Sequence, residues 1–216
     1  MARPESSAQD RQRMRERMID AARRLYLDRG AEALSLRTLA DALGISHTLP
    51  YRYFGNKQAL LAQLRRDAVE RFHAWVLERD PAGADPLTRL RALFDAYLGF
   101  ARRHPPEYRL IFASDQPPPD RYPELLAARE RMFDFAMDVV QDCIDAGLVQ
   151  GDAREIAHAY WISLHGLMTL HVAHQLVHGC RFEQLAPALL ERLLGPLGTS
   201  NAGRSRTRKA AKEQRR

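Results

Sequence analysis

The chain has 216 residues, of which 45% are hydrophobic, and this is enough for one or two domains with a buried core. Its net charge of +6 is unevenly distributed: residues 1–66 carry 13 Lys/Arg against 7 Asp/Glu, residues 67–203 carry 13 against 19, and residues 204–216 carry 7 against 1. No apolar run is long enough to cross a bilayer and the polar N-terminus has no signal-peptide core, so we expect a cytoplasmic protein with no membrane partner.

Apolar residues recur at helical spacing along the chain and strand-like alternation is absent, which predicts an all-α fold of about nine helices. A disordered N-terminus is predicted over 1–10. The first helix is predicted over 11–29, and Gly30 is a natural terminator for it. The basic character of this first part of the chain is typical of a protein that binds a polyanion.

Two short helices follow. Ser35 is positioned to cap the first of them, LRTLADAL, and Gly44 ends it. The next, at roughly 47–54, is capped by Ser46 or by Thr48. Pro50 loses one intrahelical hydrogen bond in the first case and none in the second.

A fourth helix is predicted over 57–78, capped by Asn56, before the linker DPAGADP. Pro105 and Pro106 open a short helix that ends near residue 113. Longer helices are predicted at about 87–103, 124–146, 153–178 and 182–194. The last part of the chain, 197–216, has no apolar pattern and is predicted to be a disordered basic tail.

Two helices of about eight residues joined by a glycine-containing turn form a helix-turn-helix, whose second helix enters the major groove of DNA. Pro50 and Phe54 are four residues apart and therefore share the predicted buried face. The opposite side carries His47, Thr48, Leu49, Tyr51, Arg52 and Tyr53. Short side chains near the helix start suit base edges, and tyrosine hydroxyls suit phosphates.

Flanking residues complete the predicted DNA interface. Lys57 begins the fourth helix, and Ser35 and Arg37 begin the second, so each lies where a phosphate is favoured. Alternatives remain open for several residues: Tyr53 and Leu49 could belong to the core. Arg37 could pair with Asp41, four residues further on.

The residues Gly44, Ser46, Tyr51, Phe54, Lys57, Leu60 and Leu61 resemble the DNA-binding head of TetR-family transcriptional regulators. Pro50 departs from that pattern, in which leucine is usual. The resemblance implies a DNA-binding domain over 11–66 in which His47, Thr48 and Leu49 lie nearest the bases, and Arg52 contacts bases or backbone. Backbone contacts would come from Arg37, Tyr51, Tyr53 and Lys57.

For the rest of the chain, residues 67–196, the resemblance implies an effector-binding domain that forms a homodimer through its last two long helices. YWISLHG (160–166) is similar to the Trp-x-x-x-His-Gly signature of one C-terminal subtype of the family. A small-molecule effector would release a repressor from a near-palindromic operator. Candidates for lining its pocket, or equally for the ordinary core, are Phe100, Tyr108, Phe112, Trp161 and His165.

A metal-responsive regulator is the main alternative, since His171, His174 and His178 would share one face of the predicted 153–178 helix. No phosphate loop, nucleophile elbow or paired-carboxylate motif is evident, so we expect neither an enzyme nor a cofactor. Cys143 and Cys180 are expected to be reduced core thiols. The basic tail is either a solubilising end or a nonspecific DNA tether.

Overall fold

The structure is a computed structural model that describes residues 8–194. The predicted basic tail lies outside this range, as do residues 1–7 of the predicted disordered N-terminus. Residues 8–10 are helical, so the prediction of disorder was wrong for them. Between residues 8 and 194 the chain is helical and contains no strand, which confirms the all-α prediction. The α-helices are α1 (Ala8–Ala33), α2 (Leu36–Leu43), α3 (Thr48–Phe54), α4 (Lys57–Leu77), α5 (Pro86–Arg103), α6 (Pro105–Ile111), α7 (Pro123–Asp145), α8 (Ala153–Val172) and α9 (Phe182–Leu194). A 3-10 turn, Pro119–Arg121, precedes α7.

The chain folds into two compact units, and each unit combines two separate stretches of the sequence. Unit 1 contains the described residues up to Ala74 together with Phe100–Met132. Unit 2 contains Trp75–Gly99 and the described residues from Phe133 onward. The helix α6 and the start of α7 therefore pack with the N-terminal helices rather than with α8 and α9.

The core of unit 1 is built by helices whose apolar residues recur every three or four positions. Along α4, five apolar residues that recur at this spacing are buried: Leu60, Leu61, Leu64, Ala68 and Phe72. In α1, Met18, Ala22 and Tyr26 are buried on one stripe, and the kink at Gly30 (φ 79°) lies where the terminator was predicted. Phe72 stacks on Phe100 with 4.5 Å between ring centroids.

Unit 2 has its own core and its own internal hydrogen bonds. Phe94 of α5 meets Tyr160 of α8 edge to face at 5.1 Å, and the indole of Trp75 donates to the carbonyl of Ala96 at 3.0 Å. Cys143 is buried, as predicted, whereas Cys180 is exposed, so the prediction that both are core thiols was wrong for Cys180. None of the described helices is long and apolar enough to cross a membrane.

The end of α8 differs from the prediction. The helix stops at Val172, because His174 adopts a left-handed conformation (φ 55°). The amide of Gln175 then donates to the carbonyl of Leu170 at 2.8 Å, and the amide of His174 donates to that of His171 at 3.1 Å. This is the Schellman arrangement that ends many helices, with histidine in the place that glycine usually takes.

Candidate nucleic-acid interface

The turn between α2 and α3 is set by local hydrogen bonds. The Ser35 hydroxyl accepts from the amide of Thr38 at 3.0 Å and the Thr38 hydroxyl accepts from the amide of Ser35 at 2.9 Å, which makes a reciprocal cap at the start of α2. Gly44, with φ 62°, ends α2, and the amide of Ile45 donates to the carbonyl of Ala40 at 3.1 Å. The two predicted boundaries of α2 are therefore confirmed.

The start of α3 settles how Pro50 is tolerated. His47 occupies the N-cap position rather than Ser46 or Thr48, and its side chain makes no capping hydrogen bond. Pro50 is then the third residue of the helix, where no intrahelical donor is required. The Ser46 and Thr48 hydroxyls bond to each other at 3.0 Å instead of capping the backbone.

The inner side of α3 is fixed to unit 1 as the sequence predicted. Pro50 and Phe54 are its buried residues, and only 7% of Phe54 is exposed. The guanidinium of Arg15 lies 5.7 Å from the centre of the Phe54 ring. Since α3 has only seven residues, it depends on this burial rather than on its own helix propensity.

The outer side of α3 is open to solvent. Tyr51 is 54% exposed, and Arg52, Thr48 and His47 are exposed as well. Leu49 and Tyr53 are half-buried, so their exposed parts remain available while the rest packs. The helix thus presents a row of polar and aromatic groups on a fixed support.

One contact within this surface was not expected from the sequence. The imidazole Nε2 of His47 lies 2.6 Å from a carboxylate oxygen of Asp41 on α2. Both side chains are more than half exposed. Asp41 therefore bonds to His47, whereas Arg37, its predicted alternative partner, is simply exposed.

The remaining predicted contacts also have roles within the protein. The Lys57 ammonium donates to the carbonyl of Ala31 at 2.8 Å, which ties the start of α4 to the end of α1. The amide of Ala59 donates to the Asn56 side chain at 2.9 Å, so the predicted cap of α4 is confirmed. An ammonium has three donors, and one bond to a carbonyl leaves two for a phosphate.

A buried carboxylate, which sequence reasoning missed, joins α6 to two other helices of unit 1. Glu107 is 4% exposed, and its Oε1 accepts from Arg23 of α1 at 2.7 and 3.1 Å and from Arg71 of α4 at 3.1 Å. Burial lowers the pKa of Arg71, against the opposing effect of Glu107. The partners are 36 and 84 residues away in sequence, so no local pattern could reveal them.

The predicted effector residues fall in both units. In unit 1, Phe100 stacks on Phe72, and the rings of Tyr108 and Phe112 lie 4.7 Å apart. In unit 2, Trp161 is 37% exposed and its ring lies 6.2 Å from that of His165.

His165 is the polar member of the unit 2 group. Its Nδ1 lies 3.3 Å from the hydroxyl of Tyr97, and its Nε2 lies at the same distance from that of Thr169. Burial lowers the pKa of His165, which favours the neutral ring.

The predicted histidine face does not form. Because α8 ends at Val172, His174 and His178 lie beyond the helix, and the ring of His171 packs on Phe182 at 4.4 Å. Among residues 8–194 no group of three potential ligands is placed to hold a metal ion. The metal-responsive alternative thus loses the shared helical face on which it was based.

A capped helix, a tight turn and a short exposed helix on a buried anchor define a helix-turn-helix protein. Residues 18–64 match the family model described as bacterial regulatory proteins of the tetR family, and residues 90–195 match the tetracycline repressor-like C-terminal domain. Together these stretches cover more than two thirds of the chain. The chain belongs to the TetR family of transcriptional regulators.

Two curated relatives are similar over most of the chain. The transcriptional activator FasR of Mycolicibacterium smegmatis is 29% identical over 148 residues, which are 68% of this chain and 67% of FasR. The transcriptional regulator Rv1816 of Mycobacterium tuberculosis is 32% identical over 150 residues, which are 67% of this chain and 61% of Rv1816.

The fold is also found in a solved structure, that of AibR in complex with isovaleryl coenzyme A and operator DNA. The TM-score is 0.63 at 22% identity, with 84% of this chain and 98% of AibR covered. At this identity the likeness shows the shared fold.

Proposed function

We propose that the protein is a homodimeric repressor that binds a near-palindromic operator through α3 and is released by a small-molecule effector. The observation that carries the proposal is the two-sided character of α3. Its inner side is anchored by Phe54, while Tyr51 and Arg52 project into solvent. A DNA-binding protein of this kind works in the cytoplasm.

The proposed reading surface is the N-terminal half of α3. His47, Thr48 and Leu49 would lie nearest the base edges, with the His47 ring oriented by its bond to Asp41. Arg52 would contact a base or a phosphate. The remaining residues, Ser35, Arg37, Ser46, Tyr51, Tyr53 and Lys57, would support the helix start or contact the phosphate backbone.

The proposed division of labour follows the sequence: residues 11–66 bind DNA, and residues 67–196 bind the effector and dimerise. On α8, Ile162, Gly166 and Leu170 are spaced by four and form one ridge. Ile162 is 67% exposed and Leu170 46% exposed, and a Cβ added at Gly166 would meet nothing within 4 Å. An exposed apolar ridge with a small residue in the middle suits close packing against the same helix of a second subunit.

A dimer would place two copies of α3 on one side of the duplex. Half-sites would then be separated by about 34–36 Å, one turn of DNA. One correct bidentate contact discriminates between bases by ~1–3 kcal/mol, so two copies of α3 roughly double the free-energy difference between correct and incorrect sites.

An effector would act by preferring the dimer that is not bound to DNA. Reversing occupancy from 99:1 to 1:99 needs a preference of ~5.5 kcal/mol, which is within reach of a small ligand. AibR, which shares the fold, binds both isovaleryl coenzyme A and operator DNA. Candidates for effector contacts are Tyr108 and Phe112 in unit 1, and Trp161 and His165 in unit 2.

The proposed C-terminal subtype is the one with the Trp-x-x-x-His-Gly signature. Trp161, His165 and Gly166 lie within the stretch matched by the C-terminal family model. FasR is named an activator, so the direction of regulation needs a reporter gene placed downstream of the selected operator. We expect expression to fall when the protein is present, and a rise would make it an activator.

The DNA-binding proposal is tested by selecting bound sequences from a pool of random duplexes. The full chain should enrich a near-palindromic motif with half-sites about one turn apart. Gly166→Leu, which should disrupt dimer packing, is the matched variant and should lose the second half-site. No enrichment by the unaltered chain would refute sequence-specific binding, and a gapless, non-palindromic motif would refute the dimer.

A further inference from the structure

Arg65 on α4 is a charged side chain in the core of unit 1. It is only 2% exposed, and its Nη2 donates to the Asp115 carboxylate at 2.6 Å. Within the described chain, its Nε and Nη1 are buried and have no hydrogen-bond partner. A buried donor left without a partner destabilises the folded state, so this guanidinium is under-satisfied by the protein alone.

The Asp115 carboxylate, which bonds to Arg65, is largely exposed to solvent. Asp115 lies in the connection between α6 and α7, and 60% of its side chain is exposed. It offers one oxygen to one nitrogen, whereas a guanidinium is built to bind an oxyanion through two parallel N–H groups. An incoming oxyanion that displaced Asp115 could therefore make more bonds than Asp115 does.

A second arginine reaches the same connection. Arg129 of α7 is half-buried and donates to the side chain of Gln116, the residue that follows Asp115. Gln116 in turn donates to the carbonyls of Ile111 and Ala113 at 3.1 and 2.8 Å. Burial, and then the charge of Arg65, lower the pKa of Arg129, so the two cations lie close enough to repel.

We propose that Arg65 and Arg129 form a binding site for the oxyanion of a small-molecule effector, a carboxylate or a phosphate group. Arg65 is the next-to-last residue of the range proposed to bind DNA, and it belongs to the same compact unit as Arg129 of the proposed effector range, so the site would join the two ranges. Two guanidinium groups and one exposed carboxylate leave an excess of positive charge that such a group would neutralise. Binding would release Asp115 from α4, the helix that directly follows α3 in sequence. This regulatory consequence rests on the proposed function, whereas the binding itself does not.

The experiment is a thermal-unfolding titration of the full chain without DNA. Sodium phosphate and sodium acetate are each compared with sodium chloride at equal ionic strength and pH. Arg129→Gln is the test variant, and Arg131→Gln is its control, because Arg131 lies on the same helix and is exposed. Arg65→Met removes the under-satisfied cation itself.

We expect phosphate, acetate or both to raise Tm beyond chloride in the unaltered chain and in Arg131→Gln. Arg129→Gln should bind the same anion at least tenfold more weakly. The Tm of Arg65→Met should not rise with either anion, and in sodium chloride it should equal or exceed the Tm of the unaltered chain. If only one anion acts, it identifies the group as phosphate or carboxylate. No shift beyond chloride, or an equal shift in Arg129→Gln, would overturn the proposal.

Because no DNA is present, the result is independent of operator binding. Should Arg65→Met not fold, the comparison between Arg129→Gln and Arg131→Gln still decides. Should the random-duplex selection fail while the anion response holds, the site stands and only its regulatory role is lost.

Discussion

Replacing Phe54 by alanine removes the buried side chain that holds α3 against unit 1. Phe54 is 7% exposed, and truncating a buried phenylalanine to alanine costs about 3–5 kcal/mol. The helix has seven residues and no side-chain cap, so it has little stability of its own to offset that loss. We expect a loss at the lower end, about 3 kcal/mol, because Phe54 is not completely enclosed and the neighbouring side chains can relax around the gap.

For a chain of this length, 1 kcal/mol shifts Tm by about 2–4 °C, so Phe54→Ala should lower Tm by about 6–12 °C. Tyr51→Ala is the matched control three residues earlier on the same helix. Since Tyr51 is 54% exposed, its truncation should change the free energy of unfolding by no more than about 0.5 kcal/mol. Thermal unfolding followed by circular dichroism measures both variants. Equal Tm values would refute the two-sided description of α3.

Three further predictions concern other parts of the chain. Glu107→Ala should lower the free energy of unfolding, measured with urea, by about 2 kcal/mol. This is less than the roughly 3–5 kcal/mol lost when a fully buried ion pair is broken, because the Arg23 and Arg71 side chains are 39% and 35% exposed and can rehydrate. An unchanged free energy of unfolding would show that Glu107 does not stabilise the contact between α6, α1 and α4. Gly44→Ala should lower the free energy of unfolding by about 1 kcal/mol. The loss comes from the positive φ alone, because the added Cβ meets nothing within 4 Å. An unchanged midpoint of urea unfolding would contradict this prediction. Burial lowers the pKa of His165, so its contribution to stability is present above pH ~6.5 and is lost as pH falls towards its lowered value in the folded state. His165→Gln should therefore flatten the decline in Tm between pH 7.5 and 5.5, and an unchanged decline would contradict it.

The sequence predicted α2 and α4 well because their ends carry strong local signals, whereas α1 extends beyond the predicted range of 11–29 at both ends. Gly44 ends α2 by the same backbone arrangement that ends α8, and a glycine there is readily recognised. At the end of α8 the left-handed residue is His174, and residues other than glycine are uncommon in that conformation, so the predicted helix continued to His178. A helix end formed by an uncommon residue is visible only in the structure.

The polar contacts between helices could not be predicted for a different reason. Arginine is usually a surface residue, yet Arg65 is fully buried beside Leu64, which is buried as well. Asp115 lies 50 residues away, and only the packing of unit 1 brings it to Arg65. By contrast, the exposed row on α3 was predictable because burial of Pro50 and Phe54 fixes which residues lie opposite.

The central claim is that the exposed side of α3 contacts DNA, and it is tested by measuring the affinity for the selected duplex by fluorescence anisotropy. The double variant Tyr51→Ala/Arg52→Ala is compared with Arg181→Ala, which removes an exposed charge close before α9. A hydrogen bond to a charged group such as a phosphate contributes ~1.5–3 kcal/mol, so the double variant should bind at least tenfold more weakly at unchanged Tm, while Arg181→Ala binds normally. An affinity of the double variant equal to that of the unaltered chain would contradict the account.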